Sequence, residues 1–354
     1  MIQPATATSE PRRVGIIDDS RTIRALLRAT LDADPRLTVV GEAGDPYEAR
    51  EMIKSVNPDV VTLDVEMPRM NGLVFLEHLM RLRPMPVVMV SSRTRENSED
   101  AIHALSLGAV DCVDAARLQG DPLSRRRLSD ALFHAASAKV HVRGGSTPRA
   151  EAPASADYRW NGRFVLIGSS TGGVDALERV LSHYPADGPP TVVAQHMPPA
   201  FLQSFANRLD SLIVPRVRLA APEIPLTAGT VLIAPGGDHH VALAADAAQG
   251  VVLRPDDGTH LYVPSVDMLF TSAVPQAHRC LAVVLTGMGK DGAEGAKQLH
   301  GAGGHCVVQD AATAVVDGKP KAVSDSGACN EVCPLDAIGP AILRVTNAAN
   351  RRSA

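Results

Sequence analysis

Aromatic residues are scarce: one Trp, four Tyr and six Phe give an aromatic fraction of 3%. A core must therefore be built from Val, Leu, Ile and Ala. Cysteine is sparse, odd in number and scattered, five residues in all, which argues against a disulfide scaffold and fits a reducing compartment. No apolar run approaches the roughly 18 residues that a membrane span needs, and the N-terminal stretch has no secretory h-region. An excess of positive charge is also missing, since 35 Lys and Arg against 39 Asp and Glu leave a net charge of −4. That balance offers no basic field to a polyanion, so nucleic acid is not an expected partner. What is present is an ordinary globular composition, 45% hydrophobic and 21% charged over 354 residues, long enough for two cores. The expectation is a cytoplasmic α/β protein without membrane insertion.

The first half alternates strand and helix patterns. Apolar runs at Val14–Ile17, Leu37–Val40, Val60–Leu63, Val87–Val90 and Val110–Val113 read as strands. Helical spacing falls between them, around Ile23–Leu31, Tyr47–Val56, Gly72–Leu82 and Ser98–Leu107. Such a βα series predicts one doubly wound parallel sheet. In an order 2-1-3-4-5 the first and third strands are neighbours, and Asp18, Asp19 and Asp64 converge at their carboxyl ends. Carboxylates that close repel unless a cation lies among them, and hard oxygen ligands suit Mg²⁺. The competing role is simpler: each Asp caps the helix that follows its strand. Leu118–Val140 can close this domain as a last helix, and residues 141–158, rich in Gly, Pro, Ala, Ser and Thr, read as a linker.

The second half opens on Phe164–Gly173, a short apolar strand followed by Gly168-Ser169-Ser170-Thr171-Gly172 and a helix. A Gly-x-Ser-x-Gly turn between strand and helix lifts the central hydroxyl, Ser170, clear of the sheet. A weak phosphate loop or a plain connection fits the same residues. Two further strand ends carry suitable partners. Thr191–Ala194 leads into Gln195-His196-Met197-Pro198-Pro199, and Leu281–Leu285 leads into Thr286-Gly287-Met288-Gly289-Lys290-Asp291-Gly292. Asp291 could cap the helix Ala293–His300, but beside Ser170 and His196 a Ser-His-Asp triad is the stronger assignment. His196 would take the serine proton, and Asp291 would fix the imidazole tautomer. The chain order Ser, His, Asp differs from the α/β-hydrolase order, and neither His300 nor His305 lies on a loop at a strand's carboxyl end. Further strands are expected at Val231–Ile233 and His305–Val308, a hairpin at Val241–Leu243 and Val251–Leu253, and a last helix around Ile338–Val345. His305, Cys306, Cys329 and Cys333 suit a core better than a metal, and adjacent His239 and His240 cannot both face one site on an extended segment.

Two resemblances follow from these motifs. Ile17-Asp18-Asp19-Ser20, Leu63 through Gly72 and Met89-Val90-Ser91-Ser92 resemble a response-regulator receiver domain over about Arg13–Val113. This implies that Asp64 accepts a phosphoryl group from a histidine kinase. It also implies Mg²⁺ on Asp19 and Asp64, with Asp18 through water and Glu66 through its backbone carbonyl, and Ser91 as the switch hydroxyl. The Ser170 turn, Gln195–Pro199, Pro264-Ser265-Val266-Asp267 and Thr286–Gly292 resemble the catalytic domain of chemotaxis protein-glutamate methylesterases over about Arg163–Leu335. The implied activity is demethylation of methylglutamate, and deamidation of glutamine, on chemoreceptor helices. The backbone N–H groups of Thr171 and Met288 become oxyanion-hole candidates, and the esterase chemistry needs no cofactor. The implied architecture is a tail (1–11), a flavodoxin-like (βα)5 receiver (12–140), a linker (141–158), an α/β catalytic domain with a mainly parallel sheet (159–347) and a tail (348–354).

This sequence departs from both patterns. The receiver's lysine after the fifth strand falls on Ala115, which implies a muted response to phosphorylation. Val263 replaces a basic residue, and Asp317 and Lys319 replace apolar ones in the stretch Asp317-Gly318-Lys319-Pro320. These changes are expected to leave the triad alone and to alter receptor recognition. Two rival functions remain, a phospho-regulated binding module with an inert esterase fold and a general small-ester hydrolase.

Overall fold

The computed structural model describes residues 10–91, 95–140, 158–222 and 224–349, with the side chains of Ser91, 95–97 and 248 outside that set. The linker expected at 141–158 therefore lies, but for Tyr158, outside the described residues. The chain divides into two compact units, Met1–Arg93 with Leu107–Val142, and Thr94–Ser106 with Arg143–Ala354.

The N-terminal alternation gives β1 (Arg12–Ile17), α1 (Arg21–Asp32), β2 (Leu37–Ala43), α2 (Pro46–Val56), β3 (Val60–Asp64), α3 (Gly72–Leu82), β4 (Val87–Ser91), α4 (Arg95–Ser106), β5 (Asp111–Asp114) and α5 (Pro122–Ala135). The sheet order is β2-β1-β3-β4-β5, and every pairing is parallel. Val14, Ile16, Ile17, Val60, Val61, Leu63, Val87 and Val88 are fully buried, as strands covered on both faces require. The last helix is shorter than expected. A 3₁₀ turn (Ala115–Leu118) comes first, and the helix starts where Asp121 accepts from the Leu123 N–H and Pro122 occupies its first turn.

The C-terminal unit contains β6 (Phe164–Ser169), α6 (Gly173–Leu181), β7 (Thr191–Gln195), α7 (Pro199–Leu212), β8 (Arg216–Leu219), β9 (Thr230–Ile233), β10 (His239–Leu243), β11 (Val251–Pro255), α8 (Val266–Ser272), β12 (Cys280–Val284), α9 (Ala293–Gly301), β13 (His305–Gln309), α10 (Gly318–Asp325), β14 (Glu331–Cys333) and α11 (Leu335–Thr346). Seven strands form one parallel sheet, β14-β13-β12-β6-β7-β9-β8, while β10 and β11 pair as an antiparallel ribbon. Leu166, Val192, Leu232, Val266, Phe270, Val284 and Val308 belong to one buried cluster, joined by Cys280 and Cys306. β12, β6 and β7 thus stand side by side at the centre, with their carboxyl ends in one row. Among the described residues no helix is long and apolar enough to cross a membrane.

Candidate active site and acidic cluster

Ser170 follows the last residue of β6 and is 8% exposed. Its N–H donates to the Thr286 carbonyl at 3.1 Å, and its own carbonyl accepts from Gly173 at 2.7 Å, where α6 begins. The turn fits against the loop after β12 because residue 287 is glycine. A Cβ there would lie 2.7 Å from Ser170 Cβ and 2.9 Å from Lys319 Cδ, closer than carbon atoms pack.

His196 occupies the matching place on the next strand. β6 and β7 pair with Ser169 opposite Gln195, and the His196 N–H donates to the Ser169 carbonyl at 3.1 Å. The buried Gln195 side chain ties the two strand ends together. Its Oε1 accepts from Ser169 Oγ at 2.6 Å, and its Nε2 donates to the carbonyls of Ser170 (2.9 Å) and His196 (3.1 Å). Tyr262 lies flat on the imidazole, with ring centroids 4.2 Å apart and planes 16° from parallel.

Asp291 completes the row from the β12 side. His196 Nε2 stands 2.7 Å from Asp291 Oδ2. The carboxylate also accepts from Val266 N–H (2.8 Å), Asp267 N–H (2.9 Å) and Ser265 Oγ (3.0 Å). The capping alternative fails, because α9 starts after Gly292 without a side-chain cap. Burial would raise the Asp291 carboxyl. The hydrogen bond and charge of His196, the Lys319 ammonium and the Asp267 N–H outweigh burial and hold it far below the ordinary range. Neighbouring Asp267 moves the other way, raised by burial and by the Asp291 charge. With the carboxylate on Nε2, the imidazole proton sits there and the lone pair falls on Nδ1. Thr171 and Met288, both buried, each lie one residue beyond the Ser170–Gly287 contact.

Of three supporting residues, Gln195 and Tyr262 carried no assigned role in the sequence. Ser265, which the sequence places at the N-cap of the helix it opens, does cap α8 by accepting from the Met268 N–H and also donates to Asp291. Gln195 and Ser265 lie inside the quoted motifs, so their position was the available signal. Tyr262 had none. Lys319 requires a correction, because it does not leave the triad alone. Its side chain is fully buried, and Nζ donates to the Asp291 carbonyl at 2.7 Å. The segment 317–320 folds back beside the β12 loop, with Lys319 N–H on the Gly287 carbonyl at 2.8 Å, so its side chain points inward.

In the N-terminal unit, Asp18, Asp19 and Asp64 offer carboxylate oxygens all within 4.8 Å of one another, the one such grouping among the described residues. Capping does not account for them. Ser20 Oγ, not Asp18 or Asp19, accepts from the Ile23 N–H at the start of α1. Asn71, not Asp64, caps α3. The loop from Val65 to Gly72 closes over β3 so tightly that a Cβ on Gly72 would lie 2.0 Å from the Asp64 carbonyl oxygen. Burial first, then repulsion among the acids, pushes Asp64 up to about 7, and burial pushes Asp18 up to about 6. Carboxyls destabilised in this way fit a hard cation. Glu66 and Ala115 line the same cavity of about 110 Å³. Ser91 ends β4, and its side chain lies outside the described residues.

Comparison with known proteins agrees with both halves. Residues 165–342 match the family model described as CheB methylesterase, and residues 14–115 match the response regulator receiver domain. The chain is 45% identical over 344 residues to a protein-glutamate methylesterase/protein-glutamine glutaminase of Rhizobium etli, covering 96% of this chain and 98% of that protein. A Caulobacter vibrioides protein-glutamate methylesterase/protein-glutamine glutaminase is 44% identical over 344 residues, at 95% and 98% coverage. The crystal structure of the Thermotoga maritima CheB methylesterase catalytic domain aligns with a TM-score of 0.50 and 37% identity, over 52% of this chain and 99% of that one.

Proposed function

This chain belongs to the protein-glutamate methylesterase family, and from that premise we propose that it demethylates methylglutamate, and deamidates glutamine, on chemoreceptor helices. Ser170 Oγ attacks the γ-carbonyl carbon while its proton passes to His196 Nδ1. The resulting oxyanion is stabilised by the backbone N–H groups of Thr171 and Met288. The C–O bond to methoxide breaks as His196 returns the proton, and methanol leaves; with a glutamine side chain the leaving group is ammonia. Water, deprotonated by the same imidazole, then attacks the acyl carbon. The bond to Ser170 Oγ breaks as the imidazolium returns the proton to that oxygen, which releases glutamate and restores the free serine. Asp291 stays ionised throughout and stabilises the imidazolium. The observation that carries this assignment is the 2.7 Å contact from His196 Nε2 to Asp291, made beside the strand that leads into Ser170.

The acidic cluster supplies control. Asp64 accepts a phosphoryl group from a chemotaxis histidine kinase, and Mg²⁺ would be held by Asp19 and Asp64, with Asp18 and the Glu66 carbonyl beside them. When bound, Mg²⁺ supplies charge neutralisation at the phosphoryl oxygens. Ser91 is the switch hydroxyl, and a cytoplasmic location fits both partners. The direct test is methanol release from methylated receptor membranes. Release far above that from simple esters is expected, and the reverse preference would favour a general small-ester hydrolase.

A further inference from the structure

We propose that Lys319 is a positioning residue for the Asp291–His196 pair, its ammonium fixing the Asp291 segment and opposing excess positive charge on the imidazole. This deepens the triad assignment above and rests on it. Lys319 enters from the first turn of α10 with no exposed side-chain surface. Nζ lies 2.7 Å from the Asp291 carbonyl oxygen and 3.8 Å from its Oδ2. The Lys319 stem fills the space over Gly287 that a Cβ would take, on the face where Ser170 Cβ also packs. Nζ is also 6.0 Å from the centre of the Tyr262 ring, and that ring stacks on His196. One side chain therefore adjoins the acid, the platform under the base and the loop beside the nucleophile.

A buried ammonium is costly unless its charge is answered. The titratable groups facing it are Asp291 from the loop after β12, Asp267 from α8 and Tyr262 from the segment before α8, with His196 beyond Asp291. The Asp291 carboxylate draws a proton onto the imidazole, and the nearby ammonium offsets part of that pull. Without the ammonium the imidazolium should persist to higher pH, so less free base would be available near neutrality. Burial lowers Lys319 itself to about 8, against the opposing pull of the Asp291 and Asp267 charges.

The test uses the full chain carrying Lys319→Gln, which keeps an N–H for the Asp291 carbonyl without the charge, and Lys319→Met. Methanol release from methylated receptor membranes is followed across pH, with the imidazole N–H resonance followed by proton NMR. In both variants the acidic limb of kcat/KM should move up by about one pH unit, and the resonance should titrate in step. Folded variants with both quantities unmoved overturn the proposal, as does loss of activity with an unmoved limb, or failure of both variants to fold. Ser170→Ala, measured alongside, tests the triad itself: if it is inactive while the lysine variants are unshifted, only the role given to Lys319 falls.

Discussion

Asp18 and Asp64 have folded-state carboxyls raised to about 6 and about 7, so the native chain holds their protons more tightly than the unfolded chain does. Their contribution to stability is complete below the unfolded carboxyl range near 4 and is lost as pH rises through 6 to 7. Without divalent ions the melting temperature of the receiver unit should fall between pH 5 and 8, and Mg²⁺ should restore more of it at pH 8 than at pH 5. A shift from Mg²⁺ that is equal at both values, or absent, would contradict the cation assignment. Asp291 has the opposite sign, since its depressed carboxyl contributes stability that is lost only as pH falls below the unfolded range. Ser170, His196, Asp291 and the three receiver acids were legible because each occupies a strand's carboxyl end, where an α/β sheet gathers chemistry. Lys319 was not. Whether a charged residue points into the protein depends on segments distant in sequence, here Gly287 and Asp291, and local pattern carries no trace of them.

At the scale of elements, the active-site rim depends on a loop after β12 that packs directly on the turn after β6. Gly287→Ala places a methyl 2.7 Å from Ser170 Cβ and 3.0 Å from its backbone nitrogen. The expected loss is about 1–3 kcal/mol of stability, as for overpacking in a tight interior. Denaturant titration would read that loss, and turnover should fall by at least about tenfold because Ser170 is displaced. A variant with wild-type stability and turnover would show that the rim can yield. The apolar strands and the β10–β11 ribbon were readable, with Val241 opposite Leu253 as the hairpin pattern implies. β8, β14 and α10 were missed for physical reasons. β8 alternates Arg216 and Arg218 with Val217 at a sheet edge, β14 has three residues, and α10 opens with Gly318, Lys319 and Pro320, which locally favour a turn. Nor does adjacency in sequence predict β12 beside β6; the crossover that places it there is decided by the whole sheet.

At the scale of the molecule, a receiver and a hydrolase in one chain make sense if the first governs the second. A fragment beginning at Tyr158 should show higher basal methanol release than the full chain and no response to a small phosphodonor. Lower or unchanged activity in the folded fragment would argue against restraint by the receiver. Ala115, buried in the receiver cavity, supplies no ammonium to phosphoryl oxygens, so the phosphodonor should raise full-chain activity only a few-fold; a many-fold rise would contradict the muted switch. The change of composition at 141–158 points to two units, but the assignment of Thr94–Ser106 to the C-terminal one has no signal in the local sequence. Any effect of Val263 and Asp317 on substrate choice depends on a partner surface that a single chain does not encode. Every part of this scheme depends on a serine made reactive by a neighbouring imidazole and carboxylate. The most direct measurement is methanol release from methylated receptor membranes by the full chain and by Ser170→Ala, with the fold of both checked by circular dichroism. A fall of roughly three to six orders of magnitude is predicted for the variant, and turnover within about tenfold of the parent would contradict it.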